Sequence, residues 1–283
     1  MAKMSIRGIS LNVKVMGKGY PLVLMHGGPS ADLHTMLSFK PLADQFTLVF
    51  YDHRCNGRSE GAEVTSLSME NLTADADALR QALGFDQWAV LGHSFGGYVA
   101  MEYALRYPQN LSHLLLVDTG AENRWAQENA SKLLAERGFS PEIVNLAHRF
   151  LNGQIEPDEA LPALMKLGDA YTYHLSPRLM PTALIYGLQT KLQPEALIYS
   201  ETHFLKGWTV LDRLGEIKVP TLVMAGREDF IFPPEAQEEL AAGIPNAHLV
   251  IIDRASHSPH LEQPVESNQA VRDFLTNVKA DGS

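Results

Sequence analysis

The chain of 283 residues carries 33 acidic against 23 basic side chains, a formal net charge of −10 at pH 7, with 45% hydrophobic and 20% charged residues. A single core at this length buries roughly 75% of the unfolded surface without help from cross-links, and the lone cysteine, Cys55, excludes an intramolecular disulfide and a cysteine-rich metal site. The acidic balance, with no Lys/Arg-rich run, lacks the electrostatic footprint that nucleic-acid or anionic-membrane binding requires.

In chain order, the amino terminus (MAKMSIRG) has no apolar h-region, and no segment approaches 18 uninterrupted apolar residues, so neither secretion nor membrane spanning is signalled and a reducing, cytoplasmic setting is expected. Residues 6–16 alternate in polarity and read as an antiparallel edge. Six short runs then read as buried parallel strands: PLVLM (21–25), FTLVFY (46–51), WAVL (88–91), LLLV (114–117), TLVMA (221–225) and HLVII (248–252). They are rich in Val, Leu and Ile and do not alternate, as strands covered on both faces should not. A helix is expected over 69–83, where Leu72, Ala76, Leu79 and Leu83 share a face, and another from Phe95. This β-α-β-α order implies an α/β fold with a mostly parallel sheet and helices on both sides. Between about Ala121 and Arg213 strand signals stop, and helices punctuated by glycine and proline take their place. The segment reads as a helical cap subdomain, 121–213, inserted into a core formed by 1–120 and 214–283.

Ligand crevices in such sheets lie at the carboxyl ends of the strands. There the sequence collects His26-Gly-Gly-Pro, Asp52-His-Arg, Gly92-His-Ser-Phe-Gly, Asp118, Arg227-Glu-Asp and Ser256-His. Ser94 sits in Gly-x-Ser-x-Gly between an apolar strand and a helix. A strand-to-helix turn this tight needs neighbours almost without side chains, which Gly92, Gly96 and Gly97 supply, and it lifts the hydroxyl clear of the sheet. A helix-capping role is the bland alternative. Serine requires a base, and His257, in the loop Ala255-Ser-His-Ser-Pro, is favoured over His260 and His93. Asp229 is favoured as the acid that orients the imidazole, with Asp118 and Glu228 as competitors; the order Ser94, Asp229, His257 is that of the nucleophile-elbow hydrolases. Backbone N–H groups of Phe95 and Gly28 are the expected oxyanion donors.

With these residues in hand, the chain resembles the α/β-hydrolase superfamily and, within it, the proline iminopeptidase-like branch. The matching pieces are His26-Gly-Gly-Pro, Asp52-His-Arg-Cys-Asn-Gly-Arg-Ser59, Gly92-His-Ser-Phe-Gly-Gly97, Gly226-Arg-Glu-Asp229 and Ser256-His-Ser-Pro-His-Leu-Glu-Gln-Pro264, which together run across nearly all of the sheet domain. The resemblance implies an eight-stranded sheet, a helical cap between the sixth and seventh strands, no cofactor and no metal, with Ser94, Asp229 and His257 as nucleophile, acid and base. Three departures stand out. Ser30 follows His26-Gly-Gly-Pro where the iminopeptidases show glycine, Cys55 replaces the first glycine of D-x-R-G-x-G-x-S, and Phe230 follows the acid where some members carry a second carboxylate for the substrate amine.

The expectation is hydrolysis of a small ester or amide through an acyl-serine, with an esterase favoured. A proline iminopeptidase, aminopeptidase or amino acid amidase is the alternative. A perhydrolase or a carbon–carbon hydrolase would use the same triad, and a ligand receptor with slow hydrolysis is the alternative from another class. A small molecule is the expected partner. Aromatic residues of the insertion, Tyr171, Tyr186 and Phe204 among them, are candidates to line the substrate pocket; Glu195 and Glu201 read as a solvated helix face.

Overall fold

Alternating core positions divide each central strand between two apolar layers. In the computed structural model, which describes residues 1–173, 177 and 180–277, strands β3 (Tyr20–Met25), β4 (Phe46–Tyr51), β5 (Trp88–His93), β6 (Leu111–Val117) and β7 (Thr221–Gly226) form the middle of an eight-stranded sheet. On one face Val23, Met25, Val49, Val90, Leu114, Leu116 and Val223 join one buried cluster; on the other, Leu22, Leu24, Leu48, Phe50, Leu91, Leu115 and Leu222 join a second. Burial on both faces is why these runs carry no polar alternation.

The sheet order is β1-β2-β4-β3-β5-β6-β7-β8. β1 (Ala2–Ile6) and β2 (Ile9–Met16) form a hairpin through Arg7 and Gly8, both with positive φ, and β2 pairs antiparallel with β4, so the alternating segment is the antiparallel edge; all other pairings are parallel. β8 (Ala247–Ile252) departs from the sequence reading of a strand buried on both faces. It is the opposite edge of the sheet, and His248 and Leu249 are exposed.

Helix α1 (Met69–Ala82) begins on Ser68, whose hydroxyl accepts the Asn71 N–H, and buries Leu72, Ala76 and Leu79 against α2 (Phe95–Arg106) and the sheet. Between β6 and β7 come α3 (Ala130–Glu136), α4 (Pro141–Leu151), α5 (Ala160–Lys166), α6 (Gly168–Tyr171), α7 (Met180–Gln189) and α8 (Pro194–Thr202). An isolated antiparallel bridge between Glu122 and Thr209 draws the two ends of this helical stretch together. After β7 follow α9 (Pro234–Gly243), α10 (Pro259–Glu262) and α11 (Pro264–Asn277). α11 packs Val271, Phe274 and Leu275 into the second cluster, beside the 3-10 turns of Leu33–Asp44. Among the described residues, no helix is long and apolar enough to cross a membrane.

Candidate active site

Ser94 stands between β5 and α2 with φ 52° and ψ −122°, a conformation that side-chain-bearing residues rarely adopt. Its surroundings over-determine it. The Ser94 N–H donates to Val117 O at 2.9 Å, and the Thr119 hydroxyl donates to Ser94 O at 2.9 Å. A Cβ on Gly92 would lie 2.3 Å from the Gly96 carbonyl oxygen, and one on Gly96 would lie 2.1 Å from that of Met25, so backbone contact leaves no room for another residue at either position. Strand β5 runs through Gly92 and His93, two residues beyond the apolar run, which delivers the turn directly at Ser94.

His257 lies in the loop after β8 and is 4% exposed. Its Nε2 is 3.0 Å from Ser94 Oγ and its Nδ1 is 2.9 Å from Asp229 Oδ2. With Nδ1–H donating to the carboxylate, Nε2 is left to accept the serine proton. Asp229 is fully buried, and its Oδ1 accepts the Ile231 N–H at 2.8 Å. Burial opposes its ionisation, but His257 and the N–H groups of Ile231 and Phe232 outweigh burial and hold the carboxyl below the usual carboxylate range.

The competing residues are placed elsewhere. Asp118 Oδ1 accepts the Gly226 N–H at 2.9 Å, and no hydrogen bond joins its side chain to His257. Glu228 takes part through its carbonyl, which accepts from Ser256 Oγ and from Arg137. His93 donates from Nε2 to the His257 carbonyl at 2.8 Å, a tether on the loop that carries the imidazole. His260 stacks on Phe39 and hydrogen-bonds Thr35 O, while His26 Nε2 accepts the His53 N–H. Burial depresses the basicity of all four of His26, His53, His93 and His260, the last to about 4, so their rings are neutral.

Phe95 is the first residue of α2, so its N–H has no partner within the helix. Gly28 has φ 60°, and a Cβ there would meet nothing nearer than 3.6 Å; the backbone angle, not crowding, favours glycine. Cys55 adopts φ 58° where the resemblance would have glycine. Its half-buried thiol donates to the Glu63 carbonyl at 3.4 Å, and burial raises its pKa, which makes it a poor thiolate.

Ser94, Phe95, Gly28 and His257 open on a cavity of about 330 Å³ that is also lined by Leu151, Tyr171, Tyr186, Leu197 and Glu201 of the inserted helices. This size suits a small ligand. Cys55 does not line it. Glu201 departs from the sequence reading of a solvated helix face. It is 8% exposed, and its Oε2 accepts from Asn123 Nδ2 at 2.9 Å and Gln127 Nε2 at 3.1 Å. Burial pushes its pKa up to about 7 against the pull of those two donors. The signal in the sequence is the spacing Ala196, Leu197, Ser200, Glu201, which is the buried side of α8; Glu195, off that face, is not buried. No cluster of three or more metal-ligating side chains exists among the described residues.

A family model described as the alpha/beta hydrolase fold matches residues 20–264. The proline iminopeptidase of Heyndrickxia coagulans is 25% identical over 273 residues, spanning 93% of this chain and 92% of its own length. Proline iminopeptidase PfmaB of Pestalotiopsis fici is 28% identical over 271 residues, spanning 91% of this chain and 93% of its own. Among solved structures, a thermophilic esterase from Thermogutta terrifontis superposes with a TM-score of 0.73 at 28% identity over 98% of both chains. The proline iminopeptidase of Mycobacterium smegmatis, at 24% identity over the whole of both chains, shares the fold with a TM-score of 0.79. The chain therefore belongs to the α/β-hydrolase fold family and is similar to its proline iminopeptidase-like branch.

Proposed function

We propose that the protein is a cytoplasmic, cofactor-free serine hydrolase that cleaves a small ester or amide through an acyl-serine intermediate, with residues 121–213 acting as its cap. The observation that carries this reading is the unbroken relay from Ser94 Oγ through His257 to Asp229, 3.0 and 2.9 Å, opening on a cavity lined by the inserted helices. Ser94 Oγ attacks the substrate carbonyl carbon as its proton passes to His257 Nε2, and the carbonyl oxygen becomes an anion held by the N–H groups of Phe95 and Gly28. The carbon–leaving-group bond then breaks, with the His257 proton going to the leaving oxygen or nitrogen. Water repeats the sequence on the acyl-serine: it gives a proton to His257, attacks the carbonyl, and releases the acid as Ser94 recovers its proton. Asp229 orients the ring and stabilises it while charged.

An esterase is the favoured form, since an ester brings a good leaving group and needs only the relay and the oxyanion donors. Glu201 supports a second reading. A buried carboxyl in an otherwise apolar cavity would ionise fully beside a substrate ammonium, as an aminopeptidase or amino acid amidase requires. Wild-type protein should be labelled by a fluorophosphonate and Ser94→Ala should not, with ester turnover reduced roughly 10⁴-fold or more. A variant keeping a tenth of the activity would overturn the assignment. Comparing kcat/KM for p-nitrophenyl butyrate and proline p-nitroanilide at about pH 7.5 separates the two readings: a tenfold preference for the anilide, lost in Glu201→Gln, would establish the second.

A further inference from the structure

Asp118, at the carboxyl end of β6, is fully buried and has φ 42°. One carboxyl oxygen, Oδ1, accepts the Gly226 N–H at 2.9 Å. Among the described residues no N–H or O–H group reaches the other, Oδ2; the side chain that pairs with the Asp118 carboxyl is itself a carboxyl, that of Asp229. Two carboxyl groups in contact, both cut off from water, cannot both carry charge. The donors decide which keeps the proton. Asp229 has His257 Nδ1–H, the Ile231 N–H and the Phe232 N–H, whereas among the described residues Asp118 has the Gly226 N–H alone.

We propose that Asp118 is a positioning residue: it stays protonated and donates its O–H to the Asp229 carboxylate, adding a further donor to the acid of the triad. The proposal rests on the triad reading above. A neutral O–H braces Asp229 against rotation away from His257 without putting a second negative charge beside the base. A charged Asp118 would favour the imidazolium in the resting protein and withdraw the base from use. Burial first, and then the charge of Asp229, push the Asp118 carboxyl well above the usual carboxylate range. The other charged or titratable groups at the pair point the same way or are already engaged. Glu262 of α10 adds negative potential at Asp118. His257 is bound to Asp229, and the Arg137 guanidinium, just past α3, is directed at the carbonyls of Glu228 and Asp229.

The test is spectroscopic and kinetic. At about pH 7.5, the infrared difference between wild type and Asp118→Asn should contain the C=O stretch of a protonated carboxylic acid, and carboxylate bands alone would overturn the proposal. If Asp118→Asn does not fold, wild-type protein labelled with ¹³C at aspartate carboxyls answers the same question by NMR: one resonance should hold the shift of the acid form through neutral pH, and its absence would overturn the proposal equally. Asn preserves both the acceptor for Gly226 N–H and a donor to Asp229. The acid limb of kcat/KM should therefore stay within about 0.3 pH unit in Asp118→Asn and move upward in Asp118→Ala, where Asp229 loses a donor. An acid limb that falls by about one unit or more in Asp118→Asn would mean that a negative charge had been removed, and the proposal would be wrong. The spectra need no turnover. Failure of fluorophosphonate labelling therefore strikes the triad reading, and absence of the acid signal strikes the Asp118 assignment.

Discussion

Ser94 holds a left-handed backbone at φ 52°, with Val117 O and Thr119 Oγ1 fixing it on either side. Strain of this kind costs on the order of 1–3 kcal/mol and is retained where geometry matters more than stability. Two variants that both lack the hydroxyl isolate it: Ser94→Gly should be more stable to urea than Ser94→Ala by about 1 kcal/mol, because glycine takes positive φ freely. Equal midpoints would show that the turn is unstrained. Further along the relay, Asp229→Asn should cost about 10⁴-fold in kcat by presenting the wrong tautomer of His257, as amide replacement of a triad acid does. Asp118→Asn should cost less than about tenfold, since it makes no bond to the imidazole. Equal losses in steady-state kinetics would reverse that ranking. Ser94, Asp229 and His257 were legible as neighbours in the sequence because each follows a strand of one parallel sheet, and such strand ends converge. The place of Asp118 was not legible: its carboxyl accepts from the backbone of β7, a tertiary contact that no residue pattern reports.

Strands β3 to β7 were readable because burial on both faces leaves runs of Val, Leu and Ile, and the antiparallel edge at β2 from its alternation; β1, mostly exposed, carried no such signal. β8 reads as a covered strand because an edge strand can be as apolar in composition as a central one. Helices α3 to α8 could be read as helices from their glycine and proline punctuation, but the direction each faces depends on partners far along the chain. Glu201 on α8 shows the consequence. Its folded pKa is about 7 against an ordinary 4.5, so between those values the folded state holds a proton that the unfolded chain has lost. More protons are bound folded than unfolded, and stability therefore falls as pH rises through that window, by on the order of 3 kcal/mol for this group alone. Glu201→Gln keeps an acceptor for Asn123 and Gln127 and removes the titration. Urea midpoints of the variant should exceed those of wild type at pH 8 and converge with them near pH 4.5. A constant offset at both pH values would remove Glu201 as the titrating group.

Across the whole molecule, burial keeps four imidazoles neutral, those of His26, His53, His93 and His260, and His93 and His260 line the cavity. In the unfolded chain each takes up a proton below its ordinary 6.5, whereas His260 in the fold waits until about 4. Protons bound by the unfolded state exceed those bound by the folded state in that window, so these four groups withdraw stability as pH falls from 6.5. Asp118 and Glu201 act in the opposite sense, since their raised pKa values let the fold keep protons that the unfolded chain releases. The net response to acidification is the balance of these opposing sets, and His260 alone contributes a loss of about 3 kcal/mol between its unfolded and folded pKa values. His260 therefore withdraws stability on acidification above the pH at which ordinary carboxylates protonate. His260→Phe is the sharpest check, because the ring already lies stacked on Phe39 with centroids 5.0 Å apart, and phenylalanine preserves that packing while giving up only the bond to Thr35 O. Denaturant titrations between pH 5.5 and 7.0 should show the slope of the variant reduced by about 0.6 proton on average, or roughly 0.8 kcal/mol per pH unit. A variant whose slope equals that of wild type would mean that His260 takes up its proton in the folded state as it does in the unfolded chain, and that a charged imidazole, not a neutral one, lies beside His93.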